Sequence, residues 1–441
     1  MTYVMLGLQL ILSLSILVIL HELGHFLPAK KFGMRVEKFY LFFDPWFSIF
    51  KKKKGDTEYG VGWLPLGGYV KISGMVDESM DKEQMAQPAQ PWEFRSKPAW
   101  QRLIVMLGGV TVNLILGMFI YAMLLYAYGK EYLPVANADY GVVVLDEIGT
   151  EVGFRDGDKI ISINGSKPKD FKELNLELLL GSDPLVELER NGEKQTIALP
   201  KGFAEKMVAL KEPVLFLPAF PAIVDSIPSD SEAGKNGLLK GDQVIAVNDV
   251  TTLSFHRLQR TLAGFKDSEA KITVLRDRDT IAIKTPVSQQ GTIGFIPVSP
   301  DKFLNFATEK YSFIESFPAG IKEGFGTLVN YVKQFKIVFT KEGSQKLGGF
   351  GTIASQFDAN WDWQRFWNIT AFISIALAFM NILPIPALDG GHVVFLLYEM
   401  ITGRKPNEKF LEKAQIVGMV LLFGLLIFAN GNDIIKAISG K

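Results

Sequence analysis

The 441 residues contain no cysteine, so disulfides and thiolate metal sites are excluded, and any bound transition metal must rest on histidine and carboxylate. Lack of disulfides suits a cytoplasmic chain or an envelope protein that does without them, and by itself decides nothing. Net charge is absent too: 47 basic residues balance 47 acidic ones, which leaves no field of one sign for nucleic acid. Histidine is scarce, four in all, and two of the four lie within one pentapeptide. Charge is also missing from four long stretches, where the 48% hydrophobic content is concentrated.

Those stretches are Val4–Leu27, Leu103–Tyr126, about Phe366–Leu383 and about Ile416–Ala429. The first two have the roughly 20 residues that a bilayer span needs, and the other two extend with tolerable flanks. A cleaved signal peptide does not fit the first run, because no basic segment precedes it and no small-residue cleavage site follows. Lys and Arg gather between the first two runs (Lys30, Lys31, Arg35, Lys38, Lys51–Lys54) and between the last two (Arg404, Lys405, Lys409). By the positive-inside bias both loops face the cytoplasm, with both termini and the segment 127–365 outside. The sequence therefore predicts a polytopic α-helical membrane protein with four transmembrane helices.

The pentapeptide is His21-Glu22-Leu23-Gly24-His25, at the end of the first run. On a helix, positions four apart share a face, so His21 and His25 can present two imidazoles to one metal while Glu22 stands beside them as a base. H-E-x-x-H is short and arises by chance on solvated helices. Here no solvated face is available, and ionisable residues within a span are costly unless they serve a function. Zinc is the metal this arrangement predicts.

Between the first two runs, Phe39–Phe43 and Trp46 suit a membrane interface and Lys51–Lys54 suit anionic headgroups, although a solvated basic turn would read the same way. Alternation over Glu58–Ser73, broken by Pro65 and Gly67-Gly68, predicts a hairpin at about 57–73, with an edge that could take up an extended peptide. Residues 77–98 read as a loop. Gly108, Gly109, Asn113 and Gly117 in the second run suit close helix packing, and Asn113 needs a hydrogen-bond partner there. The outer segment repeats itself. Gly153-Phe-Arg-Asp-Gly157-Asp158 and its strand ending at Asn164 match Gly237-Leu-Leu-Lys-Gly241-Asp242 and its strand ending at Asn248. A helical patch (Phe171–Leu180, Ser254–Phe265) and a further strand (Val186–Arg190, Lys271–Arg276) follow each copy, so one α+β module is present twice. These G-D turns and strands resemble PDZ domains, modules that hold peptides by strand addition; two inert spacers are the alternative. His256 reads as structural. Residues 311–340 have helical periodicity, but Pro318, Gly320, Gly324 and Gly326 weaken a single helix there. The segment is expected either on the membrane surface or against the modules.

The third run ends in Asn381-Ile-Leu-Pro384-Ile-Pro386-Ala-Leu-Asp389-Gly390-Gly391-His392. Two prolines stop the helix at membrane depth, which is tolerable only where protein or water covers the backbone. A catalytic zinc takes three protein ligands and one open position. Asp389 is the natural third ligand, His392 its rival, and a plain Asp-Gly turn the bland alternative.

H-E-L-G-H in a first span, G-x-x-x-N in a second (Gly109, Asn113) and N-x-x-P-x-P-x-x-D-G in a third together resemble the site-2 protease family, and the two intervening modules are most similar to its bacterial regulator-of-sigma-E branch. The resemblance covers the chain from end to end. It implies a membrane-embedded zinc metalloendopeptidase with His21, His25 and Asp389 as ligands, Glu22 as general base and Asn381 against substrate. Gly67, Gly68 and Tyr69 would belong to a membrane-associated hairpin that pairs with substrate, and Pro384 and Pro386 to the structural motif. Implied with these are a bacterial inner membrane location, membrane lipid around the spans, and extracytoplasmic PDZ-like domains. The implied substrates are single-span proteins, anti-sigma factors or signal-peptide remnants, already trimmed by an upstream site-1 protease. One departure is visible: Leu347-Gly348-Gly349-Phe350-Gly351 stands where a Ser-Gly-Pro-type sequence is expected. The expected divisions are 1–28, 29–99, 100–128, 129–220, 221–300, 301–362, 363–386 and 387–441. Two other readings remain: a PDZ-type membrane adaptor with a structural zinc, disfavoured by Glu22 and by only three ligands, and a metal-ion transporter, disfavoured by spans almost free of further charge.

Overall fold

The computed structural model describes residues 2–65, 67–75, 87–180, 184–208, 210, 214–229, 231–338 and 348–439. Part of the expected polar loop, 77–86, lies outside these residues, as does Leu347. The chain divides into two compact units, Met1–Gly129 with Lys310–Lys441, and Lys130–Glu309.

The first unit is helical with one sheet. Helix α1 spans Thr2–Lys31; beyond it Gly33, at φ +66°, turns the chain in a conformation that suits glycine. Four strands follow: β1 (Val36–Leu41), β2 (Phe43–Lys54), β3 (Thr57–Leu64) and β4 (Tyr69–Ile72). Helix α2 (Ala99–Tyr128) starts after Pro98 and ends at Gly129. After the second unit come α3 (Phe313–Val338), α4 (Phe350–Ala354), α5 (Trp363–Ile382), α6 (Asp389–Thr402) and α7 (Glu408–Ser439). Among the described residues four helices are long and apolar enough to cross a membrane, Tyr3–Lys31, Ala99–Tyr128, Trp363–Ile382 and Lys409–Ile435, one for each expected run.

Two expectations need correction. The stretch 57–73 is not a hairpin. The sheet order is β2-β3-β1-β4, so β1 separates β3 from β4, running parallel to the first and antiparallel to the second. The true hairpin is β2–β3, in which Lys51–Lys54 pair with Gly60–Thr57 instead of forming a turn. Periodicity identifies strands but not their partners, and Phe39–Leu41 is the piece that fills the gap. Second, α3 is one continuous helix, and it packs on α2. A Cβ at Gly320 would lie 2.5 Å from the Ala122 nitrogen, and one at Gly324 would lie 2.7 Å from Met118 Cγ. Gly320 and Gly324, two of the glycines that seemed to weaken the helix, are what let it approach. A capping box starts it: Glu315 N–H donates to Ser312 Oγ at 3.4 Å, and Ser312 N–H donates to Glu315 Oε2 at 2.9 Å.

The second unit holds two cores, Val135 to Phe216 and Ala222 to Ile293. In the first, strands Lys159–Ile163, Leu185–Arg190 and Glu193–Ala198 pair antiparallel in sequence order. In the second, Asp279–Pro286, Glu269–Arg276, Gln243–Val247, Ala222–Ser226 and Ile296–Pro297 are successive neighbours. The repeat holds at atomic detail. Arg190 Nε and Nη2 donate to the buried Asp158 at 2.7 Å each, and Arg276 Nε and Nη2 donate to the buried Asp242 at 2.6 and 2.7 Å. The same arginines donate to the Gly153 and Gly237 carbonyls. Asn164 and Asn248, both at positive φ, each accept the N–H of a strand across the turn, from Leu185 and Lys271.

Candidate metal centre

The site is built where α1, α2 and α5 meet and α6 begins. Helices α1 and α2 touch backbone to backbone. A Cβ at Gly24 would lie 2.5 Å from the Gly108 oxygen, and one at Gly108 would lie 1.9 Å from the Gly24 oxygen. Gly109, one residue on, leaves room for the imidazoles, since its Cβ would stand 2.4 Å from His25 Nε2 and 2.6 Å from His21 Cε1. Helix α5 lies against the same pair. Ser374 Oγ donates to the Asn113 carbonyl at 2.7 Å, and Thr370 Oγ1 donates to Ser13 Oγ at 2.9 Å, both in buried surroundings.

Within this frame His21, His25 and Asp389 offer ligand atoms that all lie within 4.8 Å of one another, and among the described residues they form one such cluster; His392 is not a member. His21 Nε2 and His25 Nε2 are each 3.4 Å from Asp389 Oδ2 and 3.2 Å from each other. Two facts orient the rings. His25 Nδ1 meets the Val105 carbonyl at 2.8 Å, which accepts its proton and leaves the Nε2 lone pair aimed at Asp389. His21 Nδ1 lies 3.2 Å from the Asn113 amide, and Asn381 Nδ2 lies 3.3 Å from His21 Nε2. Amide oxygen and nitrogen are interchangeable in placement. Turned over, the Asn113 amide would bring its Oδ1, otherwise without a partner, to accept Nδ1–H of His21.

The set fits a divalent metal. Asp389 Oδ2 is buried with no hydrogen-bond partner, an expensive state for a carboxylate unless a cation completes it. Two imidazole nitrogens and a carboxylate oxygen, with no thiol in the chain, are a donor set that zinc accepts in catalytic sites.

Glu22 lies on the same turn of α1 as His21. The segment entering β4 passes against it, and a Cβ at Gly68 would sit 3.5 Å from Glu22 Cγ and 2.6 Å from Val18 Cγ1. Gly67, at φ +152°, rests under the Phe43 ring, and Tyr69 donates its hydroxyl to Asp44 at 2.8 Å. Of Gly67, Gly68 and Tyr69, Gly68 is the one brought against the pentapeptide; the other two hold the strand to its own sheet. Pro384 and Pro386 form the turn between α5 and α6, which makes Asp389 the first residue of α6.

Sequence reasoning named His21, His25 and Asp389, which the fold brings together, and assigned Asn113 and Gly109 to packing. It missed the Asn113 amide at His21, the Val105 carbonyl at His25 and the contact of Gly109 with both rings. The G-x-x-x-N spacing was the available signal, for it puts Gly109 and Asn113 one turn apart on one face of α2.

A scan of protein-family models matches residues 9–425 to the model described as Peptidase family M50. Among curated proteins, the chain is 31% identical to the regulator of sigma E protease of Haemophilus influenzae, covering 97% of this chain and 98% of that one. It is 28% identical to a provisionally named zinc metalloprotease of Vibrio cholerae, over 96% and 97% of the two chains. A similarly named protein of Campylobacter jejuni is also 28% identical, over 97% and 93%.

Proposed function

Because this chain belongs to peptidase family M50, we propose that it is an intramembrane zinc metalloprotease that cuts single-span membrane proteins within or near their transmembrane segment. The observation that carries this reading is the convergence of His21, His25 and Asp389, with Glu22 beside them, on helices apolar enough to cross a bilayer. His21, His25 and Asp389 would hold the zinc. When bound, zinc polarises the scissile carbonyl and brings the pKa of a water toward ~7. Glu22 takes the proton of the attacking water and returns it to the leaving amine, so one carboxylate serves as base and then as acid. Asn381, beside His21, would donate to the substrate backbone.

A substrate helix must unwind before its carbonyl can be attacked, and hydrocarbon offers the freed backbone no partners. Strand β4 is an edge of its sheet, and the segment entering it passes Glu22 at Gly68, so an extended substrate could pair with it there. The Lys and Arg distribution supports an orientation with the second unit outside, and the bacterial relatives support an inner membrane location. Its two modules, read as PDZ-like, would exclude substrates that still carry bulky outer domains. Substrates of the anti-sigma factor or signal-peptide remnant type, first trimmed by a site-1 protease, agree with that filter and with the name of the Haemophilus relative.

The test uses detergent-purified protein and a single-span substrate carrying helix-breaking residues. Wild type is expected to cleave it, with zinc chelation abolishing cleavage and Glu22→Gln reducing it by about 10²–10⁴-fold, the range general-base catalysis contributes. Cleavage surviving in Glu22→Gln would remove the proposed mechanism. A zinc-loaded wild type that cleaves no such substrate would favour an adaptor with structural zinc.

A further inference from the structure

Two residues before Asp389 the backbone takes a conformation that alanine seldom adopts. Ala387 has φ +82°, where a Cβ crowds the chain's own carbonyls and where glycine sits freely. It follows Pro386 and precedes Leu388, the cap from which α6 starts. The direction in which Asp389 is presented therefore depends on Ala387 keeping this φ. Relaxation to the ordinary negative range would swing the first turn of α6, and Asp389 with it.

Two contacts from α7 oppose that relaxation. The Ala387 N–H donates to Gln415 Oε1 at 3.1 Å, and Gln415 is 5% exposed although it lies on a membrane span. Three residues later, and so on the same face, Gly418 meets the turn so closely that a Cβ there would stand 1.6 Å from the Pro386 carbonyl oxygen. A buried amide in a span is costly unless it is satisfied and useful. This one accepts from the N–H of the Pro386–Ala387 peptide, the plane from which that φ is turned.

We infer that Gln415 is a positioning residue, through which α7 clamps the Pro386–Ala387 turn and holds Asp389 in line with His21 and His25. Taking Asp389 as a zinc ligand, as proposed above, α7 then contributes to the metal site without touching it.

Zinc affinity of the full-length protein in detergent, read by competition with a chromophoric chelator, tests this apart from any protease assay. Gln415→Met keeps the length of the side chain and removes the acceptor. Its zinc dissociation constant is expected to rise about 10–100-fold, the usual cost of losing a group that supports a metal ligand. Gln415→Glu, which keeps an acceptor oxygen, is expected to stay near wild type. The deciding variant is Gln415→Met combined with Ala387→Gly. Glycine takes φ +82° without steric penalty, so the double variant is expected to regain most of the lost affinity. General damage to α7 would not be repaired this way. Wild-type affinity in Gln415→Met, with affinity lost in Asp389→Ala, would overturn the clamp and leave the ligand set standing. A weakened Gln415→Met that Ala387→Gly does not restore would also overturn it. Wild-type affinity in Asp389→Ala would instead remove the ligand reading, and the clamp with it.

Discussion

At Gly109 one hydrogen atom separates a working pair of imidazoles from a displaced one. A methyl group there would come within 2.4 Å of His25 Nε2 and 2.6 Å of His21 Cε1, distances that neither ring can keep. His25 cannot swing away freely, since Val105 holds its other nitrogen, and His21 is flanked by Asn113 and Asn381. Gly109→Ala is therefore expected to lower kcat/KM by about 10²-fold, the usual cost of misplacing catalytic groups by an ångström. The readouts are peptide cleavage and zinc content, with circular dichroism expected to show an unchanged helix content. His21, Glu22, His25 and Asp389 stood out as candidates in the sequence because side chains of those types in a motif can be read directly, and the fold brings His21, His25 and Asp389 together. Gly109 acts through space left open, which its spacing from Asn113 flags without explaining, and the Val105 carbonyl acts through backbone, which has no side-chain pattern to read.

Helices meet in the first unit through small residues, and the substitutions that matter differ from their neighbours by a fraction of a turn. Gly320 faces the backbone of Ala122, whereas a Cβ at Gly326, on the same helix, would find nothing within 4 Å. Gly320→Leu is expected to cost about 1–3 kcal/mol by overpacking, seen as a lower midpoint of thermal unfolding in detergent. Gly326→Leu is expected to leave that midpoint unchanged. Equal effects from both would mean that helix propensity, not close approach, governs α3. The same contrast explains what was hard to read at this scale. Glycine weakens an isolated helix and permits tight crossing in a packed one, and periodicity cannot say which applies. The pairing of β1 with both β3 and β4 was hidden for a related reason, since strand order depends on contacts far apart in the chain. The four spans were legible because length and apolarity alone define them.

Duplication is the largest regularity in the molecule, and it was plain in the sequence from Gly153–Asp158 and Gly237–Asp242, whose glycines all take positive φ. Each copy closes on a buried aspartate held by an arginine fork, and in the second copy the fork carries a pH dependence. Burial by itself would raise the Asp242 carboxyl, but the Arg276 guanidinium hydrogen-bonded to it outweighs burial and holds it below the usual carboxylate value. A group depressed in the folded state stabilises fully above its unfolded pKa, and that contribution is lost as pH falls through the folded value. Cleavage within 221–298 by an acid-active protease such as pepsin is thus expected to increase as pH drops below about 4. Asp242→Asn is expected to be cut more readily throughout, without that added rise. A wild type and variant that respond alike to pH would show that Asp242 does not set the acid limit.

The second unit begins and ends in one two-stranded ribbon, in which Lys130–Tyr132 run antiparallel to Ala307–Glu309. Helices α2 and α3, one on each side of the whole insertion in sequence, are packed against each other. Bringing them together across an unstructured chain of that length would carry a loop-closure entropy that grows as the logarithm of the length. Once the ribbon has zipped, the effective loop between them shrinks to a few residues, a relief of roughly 3 kcal/mol at 25 °C. Assembly of the helical unit is thereby coupled to the folding of the insertion, and a chain whose modules fail to fold would hold its spans together less firmly even with every span intact.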